Sequence, residues 1–323
     1  MVLMITPSLN VLSFTLTLAN KSIRARHFFP SNTIYYRFHF QILIFRGYFS
    51  TMGKFSGKVA IITGASSGIG RATAVLMAKD GAKLTITGRN QQELEETAKQ
   101  TGLSAESLNL VAGDITKHDV QQVLIDTTVN KFGKLDILVN NAGAGFTEEG
   151  KIGSEISVEC YHKNIEVNLT SVLEMIQKAR PHLIKSKGDI VNVSSIAGLN
   201  HGNVKSPYYS VAKAGLDQLS RNLALELINF DVRVNSVNPG LIKTNFMERA
   251  YHVGADQANK VYDALSINPI SVPRKVVGTP EDIAKVIVFL ADREASGIIV
   301  GQNIVADGGS VLVMGITAAM SAK

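Results

Sequence analysis

The sequence predicts an α/β fold: a doubly wound parallel sheet of about seven strands with helices on both faces, built as a single domain over residues 53–323. Three observations carry that expectation. From Gly53 onward, short β-branched runs alternate with amphipathic stretches. The runs are apolar at consecutive positions, which marks strands covered on both faces. No repeat or linker interrupts the alternation, so right-handed crossovers leave a doubly wound sheet as the natural topology.

Each element follows from its residues. "KVAIITG" (58–64) is a β-branched run closed by glycine, a buried strand. "GIGRATAVLMAKDGA" follows with helical spacing at Ile69, Ala72, Leu76 and Met77, and Gly81 stops it. Strand "KLTIT", helix "NQQELEETAKQTG", strand "SLNLVAGD", helix "KHDVQQVLIDTTVNKFG" and strand "LDILVNNAG" come next. The later strands are "DIVNVSS", "VRVNSVNPG" and "GIIVGQNIVADGG", with helices between them. In such a sheet ligands bind beyond the carboxyl ends of the strands, so strand-end residues are the candidates for function.

Composition removes several function classes. The single cysteine, Cys160, excludes an internal disulfide framework and a Cys-rich metal site. It fits a reducing compartment and a space-filling role. His162, His182 and His201 lack metal-like spacing and read as surface or loop residues, so no metal is expected. Five of the 33 basic residues (Lys21, Arg24, Arg26, Arg37 and Arg46) lie in residues 1–52 without one acid, so 28 face 27 acidic residues in the remainder. A nearly neutral remainder without a basic stripe gives no reason to expect nucleic acid as a partner.

Residues 1–52 read as an N-terminal extension. None of their apolar runs reaches the roughly 18 residues of a membrane span, so no integral span is expected. Basic residues without acids suit a mitochondrial address, and the first twenty residues suit a secretory one, although no positive charge opens them. "MGKFSGKVAIITGAS" begins a domain cleanly, so Met52 reads equally well as the natural start, which implies a cytoplasmic protein.

"TGASSGIG" (63–70) joins the first strand to the first helix. Gly64 permits a tight turn, Gly68 lets backbone approach a pyrophosphate, and Gly70 lets the helix pack on the strand. The helix N-terminus offers free N–H groups and partial positive charge to phosphates. The loop Gly64, Ser66, Ser67, Gly68, Ile69 and Gly70 is therefore a candidate dinucleotide cradle.

Six motifs stand in one order: "TGASSGIG", "GDIT", "NNAG", "IVNVSSIAG", "YYSVAK" and "NPGLIKT". Together they strongly resemble the single-domain branch of the short-chain dehydrogenase/reductase family, from about Phe55 to Gly309. The resemblance implies a Rossmann-like fold, a nicotinamide cofactor, a small-molecule carbonyl or alcohol substrate, and a homodimer or homotetramer. It places Asp114 and Ile115 against the adenine, and Asn141, Ala142 and Gly143 along the cofactor with Asn141 nearest. It puts Ile242 and Thr244 on the nicotinamide amide. Asn140 reads instead as a tie between neighbouring strands.

The cofactor preference is read at the end of the second strand, "LTITGRN". An acid there would accept hydrogen bonds from the ribose 2′-hydroxyl and repel a 2′-phosphate. Gly88 stands in that place and Arg89 follows, whose planar, always charged fork pairs with phosphate. NADP(H) is therefore expected over NAD(H).

A proton must accompany hydride transfer to a carbonyl, and free tyrosine, with a pKa of ~10, needs help to exchange one at neutral pH. Positions i and i+4 share a helix face. Tyr209 and Lys213 meet that spacing and Tyr208 does not, so Tyr209 is the acid/base, its pKa lowered by the ammonium of Lys213. By resemblance Lys213 also holds the nicotinamide ribose. Ser194 and Ser195 face opposite sides of their strand end, and the family pattern selects Ser195 to hold the substrate oxygen. Asn168, a poor helix former in "EVNLTS", is by resemblance a helix irregularity whose carbonyl holds a water in a proton relay. Residues 245–277 correspond to a substrate lid, where Phe246, Met247, Tyr251 and Tyr262 suggest a partly apolar pocket.

These readings combine into an NADP(H)-dependent oxidoreductase acting on a ketone, aldehyde or secondary alcohol, steroid- or retinoid-like or otherwise lipophilic. An NAD-linked alcohol or sterol dehydrogenase and a non-catalytic cofactor-binding regulator are the alternatives.

Overall fold

The computed structural model describes residues 2–8, 11–18, 21–28, 53–200, 202–268 and 271–313. The chain divides into two compact units, residues 1–52 and 53–323. In the first, β1 (Val2–Ser8), β2 (Val11–Leu18) and β3 (Lys21–Phe28) form an antiparallel sheet with Val2 opposite Thr17 and Val11 opposite Phe28. The sequence reading anticipated no strands there.

The second unit holds seven strands: β4 (Val59–Ile62), β5 (Lys83–Gly88), β6 (Leu108–Ala112), β7 (Ile137–Asn140), β8 (Asp189–Val193), β9 (Arg233–Pro239) and β10 (Asn303–Ala306). Their order is β10-β9-β8-β7-β4-β5-β6, and every pairing is parallel. This is the Rossmann-like, doubly wound sheet the alternating runs imply. The central strands are covered on both faces: each residue of β4, β7, β8 and β9 is buried, polar ones included, whereas edge strands β6 and β10 are only partly so.

The helices of more than one turn are α1 (Gly68–Lys79), α2 (Gln91–Thr101), α3 (His118–Phe132), α4 (Val158–Ile165), α5 (Ser171–Ser186), α6 (Pro207–Leu227), α7 (Phe246–Tyr251), α8 (Ala255–Ile267) and α9 (Pro280–Ala291). One core cluster gathers Met77 of α1, Leu94 of α2 and Ile287 of α9. A second cluster gathers Leu124 of α3, Met175 of α5 and Leu216 of α6. Burying both sheet faces under these helices is the main favourable term in the fold.

The two ends of the sheet carry different polar chemistry. At the N-terminal end of β8, Asp189 pairs with Arg233 at 2.8 Å and Arg293 at 3.1 Å. That charge cluster ties β8 and β9 to the segment after α9. At the C-terminal end lie the glycine loop, the NNAG turn and Ser195. The chain leaves β4 for β5 on one side and returns to β7 on the other, so the crevice between the β4 and β7 ends is the switch point where such sheets bind ligands.

Candidate active site

The turn after β4 is shaped by glycine where no other residue fits. Gly64 has a φ of +66°, and a Cβ there would lie 2.8 Å from the Ala142 Cα. Gly68 has a φ of +56° and lies under the Thr244 methyl, 3.2 Å from where its Cβ would be. A Cβ on Gly70 would overlap the Gly64 carbonyl and the Asn141 amide, so α1 packs directly on the turn. Ser67 caps α1 without a side-chain bond, and its first turn contains no acid. Free N–H groups, a positive helix end and an open backbone surface fit the phosphates of a dinucleotide.

The loop is held by groups that the sequence reading did not single out. Thr63 Oγ1 accepts the N–H groups of Asn141 and Ala142, each at 3.0 Å. Thr97 of α2 donates to the Ala65 carbonyl at 2.9 Å, and Arg71 joins the Ser66 carbonyl to Glu93. Arg71 directly follows the glycine motif, but no local signal names its partner 22 residues away.

Several of the expected cofactor residues have partners within the protein. The Asn141 side chain donates to the Thr63 and Gly64 carbonyls at 2.8 and 3.1 Å, so it braces the glycine turn rather than facing outward as a ligand. Ile115 and Ile242 turn their side chains into the two core clusters. Strand-end side chains alternate between core and crevice, and these two fall on the core side, leaving only their backbone for a cofactor. Asp114 accepts from Thr116 N and Oγ1, each at 3.0 Å. Burial would raise its pKa, but the Thr116 bonds, with Arg89 and Lys117, hold it below the usual carboxylate range. Arg89 is exposed and makes no hydrogen bond or ion pair among the described residues. Beside it, a Cβ on Gly88 would meet Ser66 Oγ at 2.8 Å, so the serine occupies the room an acid would need.

Helical phase brings the expected reacting groups together. Pro207 at the first turn of α6 starts the helix with its fixed φ. The Lys213 ammonium lies 5.7 Å from the centre of the Tyr209 ring. Ser195 lies close enough to the Tyr209 phenol to draw its pKa down, and its Oγ accepts from Ala197 N at 3.1 Å. Ser194 is turned inward and donates to the Lys213 carbonyl at 3.2 Å. Of the two serines, Ser195 therefore faces the cleft. Tyr208 donates to the Ile156 carbonyl at 2.9 Å and stands edge-on to Tyr161, so its role is packing.

The electrostatics depart from one expectation. The Tyr209 phenol is not lowered: burial pushes it up to about 12, with the Ser195 hydrogen bond opposing and Tyr251 adding to the rise. Lys213 is perturbed in the opposite sense. It is 3% exposed, and burial pulls its pKa down to about 8 against the attraction of Asp217. Its ammonium donates to the Val193 carbonyl at 2.8 Å. Desolvation disfavours each charged form, which moves a phenol up and an amine down.

Asn168 lies in one π-helical turn, Glu166–Thr170, between α4 and α5. It is buried, donates to the Ala144 and Asn164 carbonyls at 2.7 and 2.9 Å, and accepts from Ala144 N at 3.2 Å. A Cβ on Gly143 would lie 2.9 Å from Asn168 Oδ1 and 3.4 Å from Lys213 Nζ, so both converge on that glycine. Asn140 donates to Asn192 at 2.9 Å and ties β7 to β8. The Phe246 ring stands 5.4 Å from that of Tyr209, whereas Tyr262 is buried and donates to the Thr244 carbonyl at 3.1 Å. Phe246 and Tyr251 thus border Tyr209, and Tyr262 is held from within by the Thr244 carbonyl.

Among the described residues no cluster of His, Cys, Asp or Glu could hold a metal ion. Cys160 is buried and donates to the Phe146 carbonyl at 3.2 Å. His201 lies outside the described residues.

Comparison with known proteins gives three kinds of match. Residues 64–311 match the family model described as enoyl-(acyl carrier protein) reductase. The chain is 35% identical to the 3-oxoacyl-[acyl-carrier-protein] reductase FabG of Thermotoga maritima, covering 80% of this chain and 100% of that protein. It is also 35% identical to dehydrogenase/reductase SDR family member 4 of Caenorhabditis elegans, covering 80% and 97%. A crystal structure of a short-chain dehydrogenase/reductase of unknown function from Caenorhabditis elegans, with cofactor, superposes with a TM-score of 0.80. It is 46% identical and covers 82% of this chain and 99% of that one.

Proposed function

The chain belongs to the short-chain dehydrogenase/reductase family, and from that premise we propose that it is an NADP(H)-dependent carbonyl reductase, reversible as an alcohol dehydrogenase. As a member it is an oxidoreductase acting on CH–OH or C=O groups with a nicotinamide cofactor. The observation that carries the finer reading is that Ser195 and Lys213 both lie beside Tyr209, at the same sheet end as the glycine cradle.

The bound nicotinamide supplies or accepts the hydride. Ser195 and Tyr209 hold the substrate oxygen, and Tyr209 Oη delivers its proton to it. At neutral pH a phenol with a pKa of about 12 is in the donating form, which suits reduction. Lys213, pulled down to about 8, exchanges protons near neutrality and with Asn168 would return the lost proton from solvent. The backbone of the Gly64–Gly70 loop would hold the pyrophosphate, and Asp114 with the backbone of Ile115 the adenine. Ala142, Gly143, Thr244 and the Ile242 backbone would flank the nicotinamide half. Phe246 and Tyr251 favour a lipophilic carbonyl. NADPH consumption across ketones, steroids and retinoids tests this directly. No turnover would leave a cofactor-binding regulator.

Arg89, with Ser66 filling the place of an acid, supports NADP(H) over NAD(H). In Ser66→Gly/Gly88→Asp/Arg89→Ala, the serine is removed to make room for the carboxylate. The ratio of kcat/KM for NADPH over NADH is expected to fall about tenfold or more. An unchanged ratio overturns the preference.

Residues 1–52 are proposed to be dispensable to the catalytic unit, residues 53–323. Protein initiated at Met52 is expected to match the full chain in kcat and in melting temperature. An insoluble or inactive product refutes that. No helix among the described residues is long and apolar enough to cross a membrane. Initiation at Met52 would leave the protein cytoplasmic, which fractionation of cells expressing each form can read. Exposed Val211 and Leu225 on α6 support a homodimer or homotetramer, measurable by light scattering.

A further inference from the structure

One buried ionisable side chain has no part in the chemistry just described. Asp217 is 3% exposed and follows Lys213 by four residues on α6, one helical turn along the same face. Its Oδ2 accepts from Asn238 Nδ2 at 2.7 Å. The same amide nitrogen donates to the Ser195 carbonyl at 3.1 Å. Asn238 is itself fully buried on β9. Asp217 on α6, Asn238 on β9 and Ser195 after β8 therefore form one chain of hydrogen bonds. That chain joins the backbone of Ser195 to the helix that carries Tyr209 and Lys213.

Packing alone gives no reason for a carboxylate here. Asp217 Oδ1 is buried and accepts no well-formed hydrogen bond among the described residues, because the nearby Ser194 hydroxyl donates to the Lys213 carbonyl instead. A buried carboxylate with one bare oxygen is costly, and a well-packed apolar residue would commonly be neutral or stabilising in its place. Both Asn238 amide protons are engaged, one by the carboxylate and one by Ser195, so the orientation of the amide is set by the acid.

We propose that Asp217 is a positioning residue of the active site. Through Asn238 it sets Ser195 against Tyr209, and its charge faces Lys213 along α6. The proposal rests on Ser195, Tyr209 and Lys213 being the reacting groups. The charged groups acting on Asp217 are Lys213 and Arg221 of its own helix, while β8 and β9 contribute only the non-titrating Ser194, Ser195 and Asn238. Burial pushes the Asp217 carboxyl up, with Ser194, Asn238, Arg221 and Lys213 pulling it down. Asp217 is in turn the group that opposes the burial-driven fall of Lys213.

The test uses the full chain as wild type, Asp217→Asn and Asp217→Ala. Asp217→Asn keeps an acceptor for Asn238 and removes the charge; Asp217→Ala removes both. Titration of Lys213 is followed by NMR of 13C-labelled lysine in cofactor-free protein, assigned with Lys213→Met. In Asp217→Asn it is expected to fall by about half a pH unit or more. Amide exchange over residues 195–198 is expected to stay wild-type in Asp217→Asn and to rise about tenfold or more in Asp217→Ala. In Asp217→Ala, kcat falls about tenfold or more with the cofactor KM unchanged. A Lys213 titration that does not move, or wild-type exchange at 195–198 in Asp217→Ala, overturns the proposal. Should Asp217→Ala not fold, the titration in Asp217→Asn decides. Neither titration nor exchange requires turnover, so an inactive wild type would sink the carbonyl-reductase reading and leave the positioning role to be decided by those two measurements.

Discussion

Tyr209→Phe is expected to lower kcat by about 10²–10⁴-fold, the usual worth of a positioned proton donor, while the affinity for NADPH stays within about twofold. The substitution removes one oxygen and leaves the ring against Phe246. Ser195 keeps its bond from Ala197 N, so the strand end is not released. Loss of one partly buried hydrogen bond should cost about 1 kcal/mol in stability, far too little to explain such a fall in rate. Single-turnover rates with NADPH and fluorescence titration of the cofactor separate the two effects. Substantial residual turnover would show that Tyr209 is not the proton donor. Tyr208→Phe serves as the contrast, because its hydroxyl holds only the Ile156 carbonyl, and its kcat should remain near wild type.

Lys213→Met should abolish most turnover and yet stabilise the cofactor-free protein. An ammonium buried to 3% exposure, with its pKa pulled from 10.5 down to about 8, is present in the fold at a thermodynamic loss. The sign follows from proton counting. Between pH 8 and 10.5 the unfolded chain holds a proton on this lysine that the folded chain has released, so wild-type stability rises with pH across that window. Below pH 8 both states are protonated and the penalty is complete. The variant should therefore exceed wild type by roughly 1–2 kcal/mol at pH 7, after allowing for the lost bond to the Val193 carbonyl. The gap should close between about pH 8 and about pH 10.5. Denaturant midpoints at pH 7 and pH 10 check this, and equal stability at pH 7 would contradict it. Such a gain, coupled to loss of activity, is the usual trade between stability and a strained functional group.

Much of this site was legible in one dimension because its spacing is local. The separation of Tyr209 from Lys213 is a property of any helix, so phase alone separated Tyr209 from Tyr208. The alternation of neighbouring strand residues left one of Ser194 and Ser195 to face the crevice, and the structure turns Ser194 inward. The glycines were readable because positive φ and close backbone approach leave few other residues. Illegible were the groups whose partners are remote in sequence. Arg71 meets Glu93, Asn141 braces Gly64 from 77 residues away, and Asn238 meets Asp217 across 21. The burial of the Ile115 and Ile242 side chains was not readable from their motifs, because which side faces the core is set by the neighbouring elements.

The sequence by itself determined the parallel sheet, its seven strands and the family, because continuous apolar runs and fixed motif spacings are written residue by residue. Only the tertiary structure decided the sense of the electrostatics. Proximity of Tyr209 and Lys213 follows from helical periodicity, but the direction of their pKa shifts depends on how much water the surrounding elements exclude. Here burial outweighs the pull of Ser195 on the phenol and of Asp217 on the amine, raising the first to about 12 and lowering the second to about 8. Desolvation is a sum over every neighbour in space, and those neighbours come from strands and helices far apart along the chain.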